Sequence, residues 1–81
     1  MIALYTQPGC IHCDHAKTHL NLLEVEFEEI NIHEHADALQ FLKDNGHTTV
    51  PQLYRDTLLL APGGNVRIQE LTKQQLNEWS Q

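Results

Sequence analysis

The chain has 81 residues, 41% hydrophobic and 20% charged, a balance that suits one globular core and excludes both a disordered chain and a second domain. Five Lys and Arg against 11 Asp and Glu give a formal net charge of −6 at pH 7. The basic residues (Lys17, Lys43, Arg55, Arg67, Lys73) are scattered, so no nucleic acid partner is expected, because counterion release needs clustered cations.

Uninterrupted apolar runs such as Met1 to Tyr5 and Leu58-Leu59-Leu60-Ala61 are far below the roughly 20 residues that span a bilayer. Met1 to Tyr5 shows neither a basic leader nor a long apolar stretch. The expectation is a monomeric, cytoplasmic, single domain over residues 1–81 with no membrane contact. Its acidic excess keeps it soluble or steers it toward basic docking surfaces.

Ile2 to Tyr5 reads as a short buried strand, followed by a turn at Gln7-Pro8-Gly9 and then Cys10-Ile11-His12-Cys13. From Cys13 to Leu23, the residues Cys13, Ala16, Leu20 and Leu23 fall at helical steps on one apolar face. Glu26 to Ile32 reads as a second strand whose alternation breaks at Glu28-Glu29, and its acidic residues suit a sheet edge. Ala38, Leu39, Phe41 and Leu42 stripe a second helix over roughly Glu34 to Asn45, with Asn31 or His33 as its start and Asn45-Gly46 as its stop. Val50 to Tyr54 and Leu58 to Leu60 read as a β-hairpin around Arg55-Asp56-Thr57, with a bend at Gly63-Gly64 after it. The last helix starts near Thr72, which forms a capping-box pattern with Gln75, and Leu71, Leu76 and Trp79 are placed to dock on the sheet. The order is β-α-β-α-β-β-α, an α/β fold with a four-stranded mixed sheet flanked by helices and a right-handed crossover between the first two strands.

The two cysteines are the only ones in the chain, and a strand that delivers a Cys-x-x-Cys to the start of a helix suits thiol–disulfide exchange. Exchange needs one thiolate to attack a disulfide and a second thiol to release the mixed intermediate. A sulfur at a helix N-terminus meets unpaired backbone N–H groups and the positive end of the dipole, which lower a thiol's pKa from its free value of about 8.5. Cys10 is therefore expected as the nucleophile and Cys13, one turn inside on the apolar face, as the resolving thiol. His12 in the spacer is a candidate for tuning that pKa through electrostatic support of the thiolate; a solvated side chain without influence is the alternative. Val50-Pro51 follows a helix stop and opens a strand. A proline there is either an ordinary trans residue or a cis one that exposes the preceding main chain to a bound peptide.

Taken together, Tyr5-Thr6, Cys10-x-x-Cys13, Ala16-Lys17, Thr49-Val50-Pro51-Gln52 and Gly63-Gly64 resemble a glutaredoxin of the short kind found in bacteria and their viruses. The resemblance covers nearly the whole chain. It implies the thioredoxin fold, a cis bond before Pro51, and glutathione as reducing co-substrate with no bound metal or organic prosthetic group. It implies that glutathione's cysteine moiety binds the main chain at Val50, beside Thr49 and Pro51. The γ-glutamyl end would go to Asn65 and Val66 beyond Gly64, and a carboxylate to the position of Gln7. The implied activity is reduction of protein disulfides and glutathione mixed disulfides, with ribonucleotide reductase a partner at family level. Three departures from the family pattern stand out. Gln7 stands where Lys or Arg is usual, Val66 where Asp is usual, and Ile11-His12 where Pro-Tyr is common. The segment from Asn65 to Glu70 is also longer than usual.

Three other readings compete. One is a glutaredoxin-like redoxin that feeds ribonucleotide reductase and is recharged by thioredoxin reductase; Gly63-Gly64 favours a glutaredoxin over it. A metal reading would combine Cys10 and Cys13 with six histidines, of which His12, His15 and His19 share a helical face, or bridge an iron–sulfur cluster between two copies through Cys10 and glutathione. The expectation adopted is no metal, because a structural zinc site wants a second tightly spaced ligand pair. A binding module without activity is the third, and retention of both cysteines argues against it.

Overall fold

Alternation along the first strand divides the protein into two cores. A computed structural model describes residues 2–62 and 64–79, with the backbone alone at Trp79. In it β1 (Ile2–Thr6) sends Ile2 and Leu4 to one face of the sheet and Ala3 and Tyr5 to the other. Then follow α1 (Ile11–Leu22), β2 (Phe27–Asn31), α2 (Ala36–Asp44), β3 (Gln52–Arg55), β4 (Leu58–Leu59), α3 (Asn65–Glu70) and α4 (Lys73–Trp79). The sheet order is β2-β1-β3-β4, with β1 parallel to β2 and antiparallel to β3. Among the described residues no helix is long and apolar enough to cross a membrane.

On the first face, Ile2, Leu4 and Leu53 pack with Ala16 and Leu20 of α1, Ile68 of α3 and Leu76 of α4. On the second, Tyr5 and Tyr54 pack with Ala38 and Leu42 of α2, with Phe41 stacked 5.6 Å from the Tyr5 ring. The strand assignment of both tyrosines thus has a packing reason: each spans the space between the sheet and α2.

Several boundaries differ from the sequence expectation. The first helix is not among them: it starts at Ile11 with Cys10 as its cap, so Cys10 stands at the helix N-terminus and Cys13 within the first turn, as expected. The second begins after His35, which makes no side-chain cap, while Asn31 Oδ1 accepts a 2.9 Å bond from His33 N–H and shapes the preceding turn. Its predicted stop stands. Gly46 has φ +80°, its N–H donates to Lys43 O at 3.0 Å, and His47 N–H donates to Leu42 O at 2.9 Å. That is the paired closure of a Schellman motif, which needs a residue free to take positive φ.

The third strand starts at Gln52, since Pro51 has no N–H to offer the ladder, and the hairpin turn shortens to Asp56-Thr57. The extra segment from Asn65 to Glu70 is a helix, α3, so the order is β-α-β-α-β-β-α-α. Six residues present only one buried side chain, Ile68, so no helical period shows in the sequence. The capping box at Thr72 forms, with Gln75 N–H donating to Thr72 Oγ1 at 3.2 Å and Thr72 N–H to Gln75 Oε1 at 2.9 Å. The expected bend at Gly63 and docking of Trp79 lie outside the described residues. The acidic strand is an edge strand as expected. Its Glu29 accepts a 3.0 Å bond from the buried Thr6 hydroxyl and sits 3.1 Å from Lys17 Nζ, which explains the break in alternation there.

Burial raises the Tyr5 pKa above its ordinary value, helped by the charges of Tyr54, Glu28 and Asp37, and burial alone raises that of Tyr54. A raised folded value means the folded state holds the phenol proton more tightly. The stability from these rings is therefore complete below about pH 10, where unfolded tyrosines ionise, and is lost as pH climbs through the higher folded values. Urea midpoints should fall as pH rises past about 10, and Tyr5→Phe should flatten that fall. An identical alkaline slope in the Phe variant would contradict this account.

Candidate functional site

Cys10 is the N-cap of α1. Its backbone is extended (φ −97°, ψ 105°), and its Sγ accepts a 3.1 Å hydrogen bond from the N–H of Cys13. Sulfur thus does what a Ser or Asp oxygen usually does at that position. The N–H supplied is one of the four that a helix start leaves unpaired. The first helical bond, Asp14 N–H to Cys10 O at 3.2 Å, holds the residue in place. Cys10 and Cys13 are joined by a disulfide, with Cα atoms 5.2 Å apart. Cys10 is half-buried, whereas Cys13 is 2% exposed on the face that carries Ala16 and Leu20. The pair is therefore asymmetric, with one sulfur reachable and one enclosed.

The second side of the site is the Thr49-Val50-Pro51 segment. The Val50–Pro51 bond is cis, as the resemblance implied. Cys10 Sγ lies 3.9 Å from the carbonyl oxygen of Val50. Buried Gln52 folds its side chain back, and its Nε2 donates to Thr49 O at 3.0 Å. That bond fixes the approach to Pro51. In the sequence, Gln52 stands out only as the end of the Thr49-Val50-Pro51-Gln52 motif and as a glutamine inside an apolar strand.

The third side is the start of α3. Gly64 has φ +75° and ψ −141°, and a Cβ built on it would stand 3.6 Å from Pro51 O. Space is adequate there, but the backbone angle is one that L-residues rarely adopt. Asn65 comes next. Its Nδ2 lies 3.5 Å from His12 Nδ1, and its Oδ1 accepts a 3.1 Å bond from Gln69 Nε2. The Asn65 side chain therefore faces the redox spacer.

Cys10, Cys13, His12, Val50, Pro51, Gly64 and Asn65 are thus brought together. Val66 is 70% exposed and Ile11 62% exposed, leaving two apolar side chains in solvent next to Asn65 and Cys10 in the chain. Gln7 and Thr49 are exposed and line, with Val50, a cavity of about 280 Å³ whose other wall is α2, through Leu39, Lys43 and His47. No local pattern links Lys43 and His47 to the redox loop, because they lie in and just after a different helix.

The histidine face of α1 is not uniformly solvated. His12 and His15 are exposed with ring centroids 6.4 Å apart, but His19 Nε2 lies 3.0 Å from Leu71 O and ties α1 to the link between α3 and α4. Among the described residues no three His, Cys, Asp or Glu side chains converge as a metal-binding group.

The family model described as Glutaredoxin matches residues 2–59, which include both cysteines and the Val50–Pro51 bond. The chain belongs to the glutaredoxin family. Glutaredoxin 3 of Escherichia coli (strain K12) is 36% identical over 56 residues, 68% of each chain. Two solved structures share the fold. A buckwheat glutaredoxin in complex with glutathione has a TM-score of 0.78 at 20% identity, covering 98% of this chain and 78% of that one. The glutaredoxin-like protein NrdH-redoxin from Escherichia coli has a TM-score of 0.72 at 24% identity, covering 86% and 92%. The protein is a glutaredoxin-family thiol redox protein with a Cys-x-x-Cys pair, and its fold is thioredoxin-like.

Gly64→Ala should destabilise by about 1–3 kcal/mol through backbone strain alone, read from denaturant midpoints. A loss below about 0.5 kcal/mol would show that the start of α3 relaxes without cost.

Proposed function

We propose that this protein is a dithiol glutaredoxin in which Cys10 attacks and Cys13 resolves. The observation that carries the reading is the asymmetry of the pair: Cys10 Sγ is reachable, receives the Cys13 N–H, and lies against the Val50 carbonyl. In the reduced protein that N–H stabilises a Cys10 thiolate. The thiolate attacks a disulfide of a protein or a glutathione mixed disulfide, joining one substrate sulfur and expelling the other as a thiol. Cys13 then attacks Cys10 Sγ, forms the internal disulfide and frees the remaining substrate thiol. Two glutathione molecules restore the dithiol and leave as oxidised glutathione, so two electrons pass to substrate per cycle.

Glutathione would lie extended across Val50, its cysteine moiety on that residue's main chain beside Thr49 and Pro51. Its γ-glutamyl end would meet the main chain at Asn65 and Val66, with Gly64 allowing close approach. Its other end would run toward Gln7. The reading extends to a single-domain, monomeric, cytoplasmic protein that acts on disulfide-bearing partners, ribonucleotide reductase among them, and needs no bound metal.

A second reading has specific support: recharging by thioredoxin reductase, as a redoxin that feeds ribonucleotide reductase. Uncharged Gln7 and exposed Val66 stand where charged partners for glutathione are usual, and NrdH-redoxin, described as having a thioredoxin-like activity profile, is among the structural neighbours. Parallel NADPH-coupled assays separate the two. Turnover with glutathione and glutathione reductase supports the proposal; turnover only with thioredoxin reductase overturns it.

Cys10→Ser should abolish all exchange. Cys13→Ser should keep reduction of glutathione mixed disulfides and lose reduction of protein disulfides that need internal resolution. The reverse pattern would exchange the two roles. His12, in the spacer and exposed, is assigned electrostatic support of the thiolate. The reduction potential should therefore lie above the thioredoxin value of about −270 mV, and His12→Ala should lower it. A potential at or below that value in the unaltered protein would rule out this role.

A further inference from the structure

Packing accounts for the ring of Tyr5 but not for its hydroxyl. The residue is 9% exposed, and the hydroxyl makes no hydrogen bond among the described residues, whereas that of Tyr54 is held by His47. No fully buried side-chain oxygen or nitrogen of those residues lacks a partner, so the oxygen is where the Tyr5 ring still meets the surface. It does so in a cavity of about 480 Å³ between β2 and the first turns of α2. Ile30 and Phe41 give that cavity its apolar wall, Glu28, His35 and Asp37 its polar one, and no Lys or Arg lines it. Strand register puts Glu28 there: it pairs with Ala3 as Ile30 pairs with Tyr5, so both stand on the α2 face of an edge strand. Neither Glu28 nor Asp37 has an ion pair or side-chain hydrogen bond among the described residues, while Lys17, Arg67 and Lys73 are engaged by Glu29, Glu70 and Glu24. Both charges bear on the Tyr5 hydroxyl. The start of α2 offsets them by only about half a positive charge, so the cavity favours a cation.

We propose that this cavity receives an arginine side chain of a disulfide-bearing protein partner, with the guanidinium between Glu28 and Asp37 and one of its N–H groups donated to the Tyr5 oxygen. The chemistry of the wall selects that occupant. Three acceptor side chains match a planar group with several fixed N–H donors better than a compact, strongly hydrated ammonium. Ile30 and Phe41 suit the methylene stem, and the Phe41 ring adds attraction for the cation. The place is also right for a partner engaged at the redox pair. Five residues separate Tyr5 from Cys10, so their Cα atoms lie within about 18 Å of each other. One interface of ordinary size, about 800 Å² on each side, reaches both. The cavity holds the partner and takes no part in bond exchange, so the assignment is independent of whether glutathione or a reductase restores the dithiol.

The test uses two synthetic peptides, each with one internal disulfide and a flexible Gly-Ser arm of about ten residues, whose r.m.s. reach is about 16–19 Å. The arm ends in arginine amide in one peptide and in uncharged citrulline amide in the other. Each is mixed with the dithiol protein in a single turnover at low salt, in which the peptide disulfide takes two electrons and leaves the Cys10–Cys13 disulfide. At low peptide concentration the arginine peptide should react about 2–5-fold faster, because its arm raises the local concentration of the disulfide. Glu28→Gln combined with Asp37→Asn should make the two rates equal and leave the citrulline rate unchanged. Tyr5→Phe, which keeps the ring and its packing, should reduce the arginine advantage. Equal rates for the two peptides with the unaltered protein would overturn the assignment, as would an advantage that survives either variant undiminished. Backbone amide shifts on titration with the arginine arm alone should centre on Glu28, Ile30 and Asp37; shifts centred on Glu24 and Glu26 would place the cation elsewhere and overturn it too.

Discussion

A single hydrogen bond, from the Cys13 amide to the Cys10 sulfur, sets the terms for the rest of the structure. It makes a thiol side chain the cap of a helix. The same contact closes the first turn of α1 and places a donor on the atom that would carry negative charge. Folding energy and reactivity are thereby joined at one atom: α1 needs a cap, and a thiolate needs a donor. The helix can hold that position because one face is fixed: Cys13 is buried, and Ala16 and Leu20 pack with Ile2, Leu4 and Leu53.

Around that sulfur, three chain segments from distant parts of the sequence converge. The central strand β1 delivers the redox loop, the Gln52 side chain steadies the residues before Pro51, and the start of α3 closes in through Gly64. Each segment presents main-chain groups more than side chains. That composition suits a partner bound as an extended peptide, because backbone donors and acceptors pair with a strand whatever its side chains. Side chains enter at the margins: Asn65 beside His12, and Lys43 and Gln7 in the lining of one cavity.

The two faces of the sheet divide the work. One packs α1, α3 and α4 in an aliphatic core and so fixes the helix that Cys10 caps and the start of α3 beside Pro51. The other packs α2 through the aromatic group of Tyr5, Phe41 and Tyr54, whose ring centroids lie 5.0–5.9 Å apart. That second core fixes α2, and α2 carries Lys43 to the cavity.

Cys10-x-x-Cys13 after an apolar strand, the apolar face of α1, the Asn45-Gly46 stop and the Thr72 capping box were all legible in the sequence, because each is a local pattern whose physics operates within a few residues. The family was legible for a related reason, since its anchors keep their order and spacing along the chain. Local pattern did not reveal α3, whose six residues bury only Ile68, nor the bond of His19 to Leu71, 52 residues away. It could not show that Gln52 restrains Thr49 or that Lys43 and Gln7 line one cavity. Those relations depend on how the β1–β3 pairing and the packing of α2 bring separate segments together, and no periodicity in a single segment encodes a distance to another.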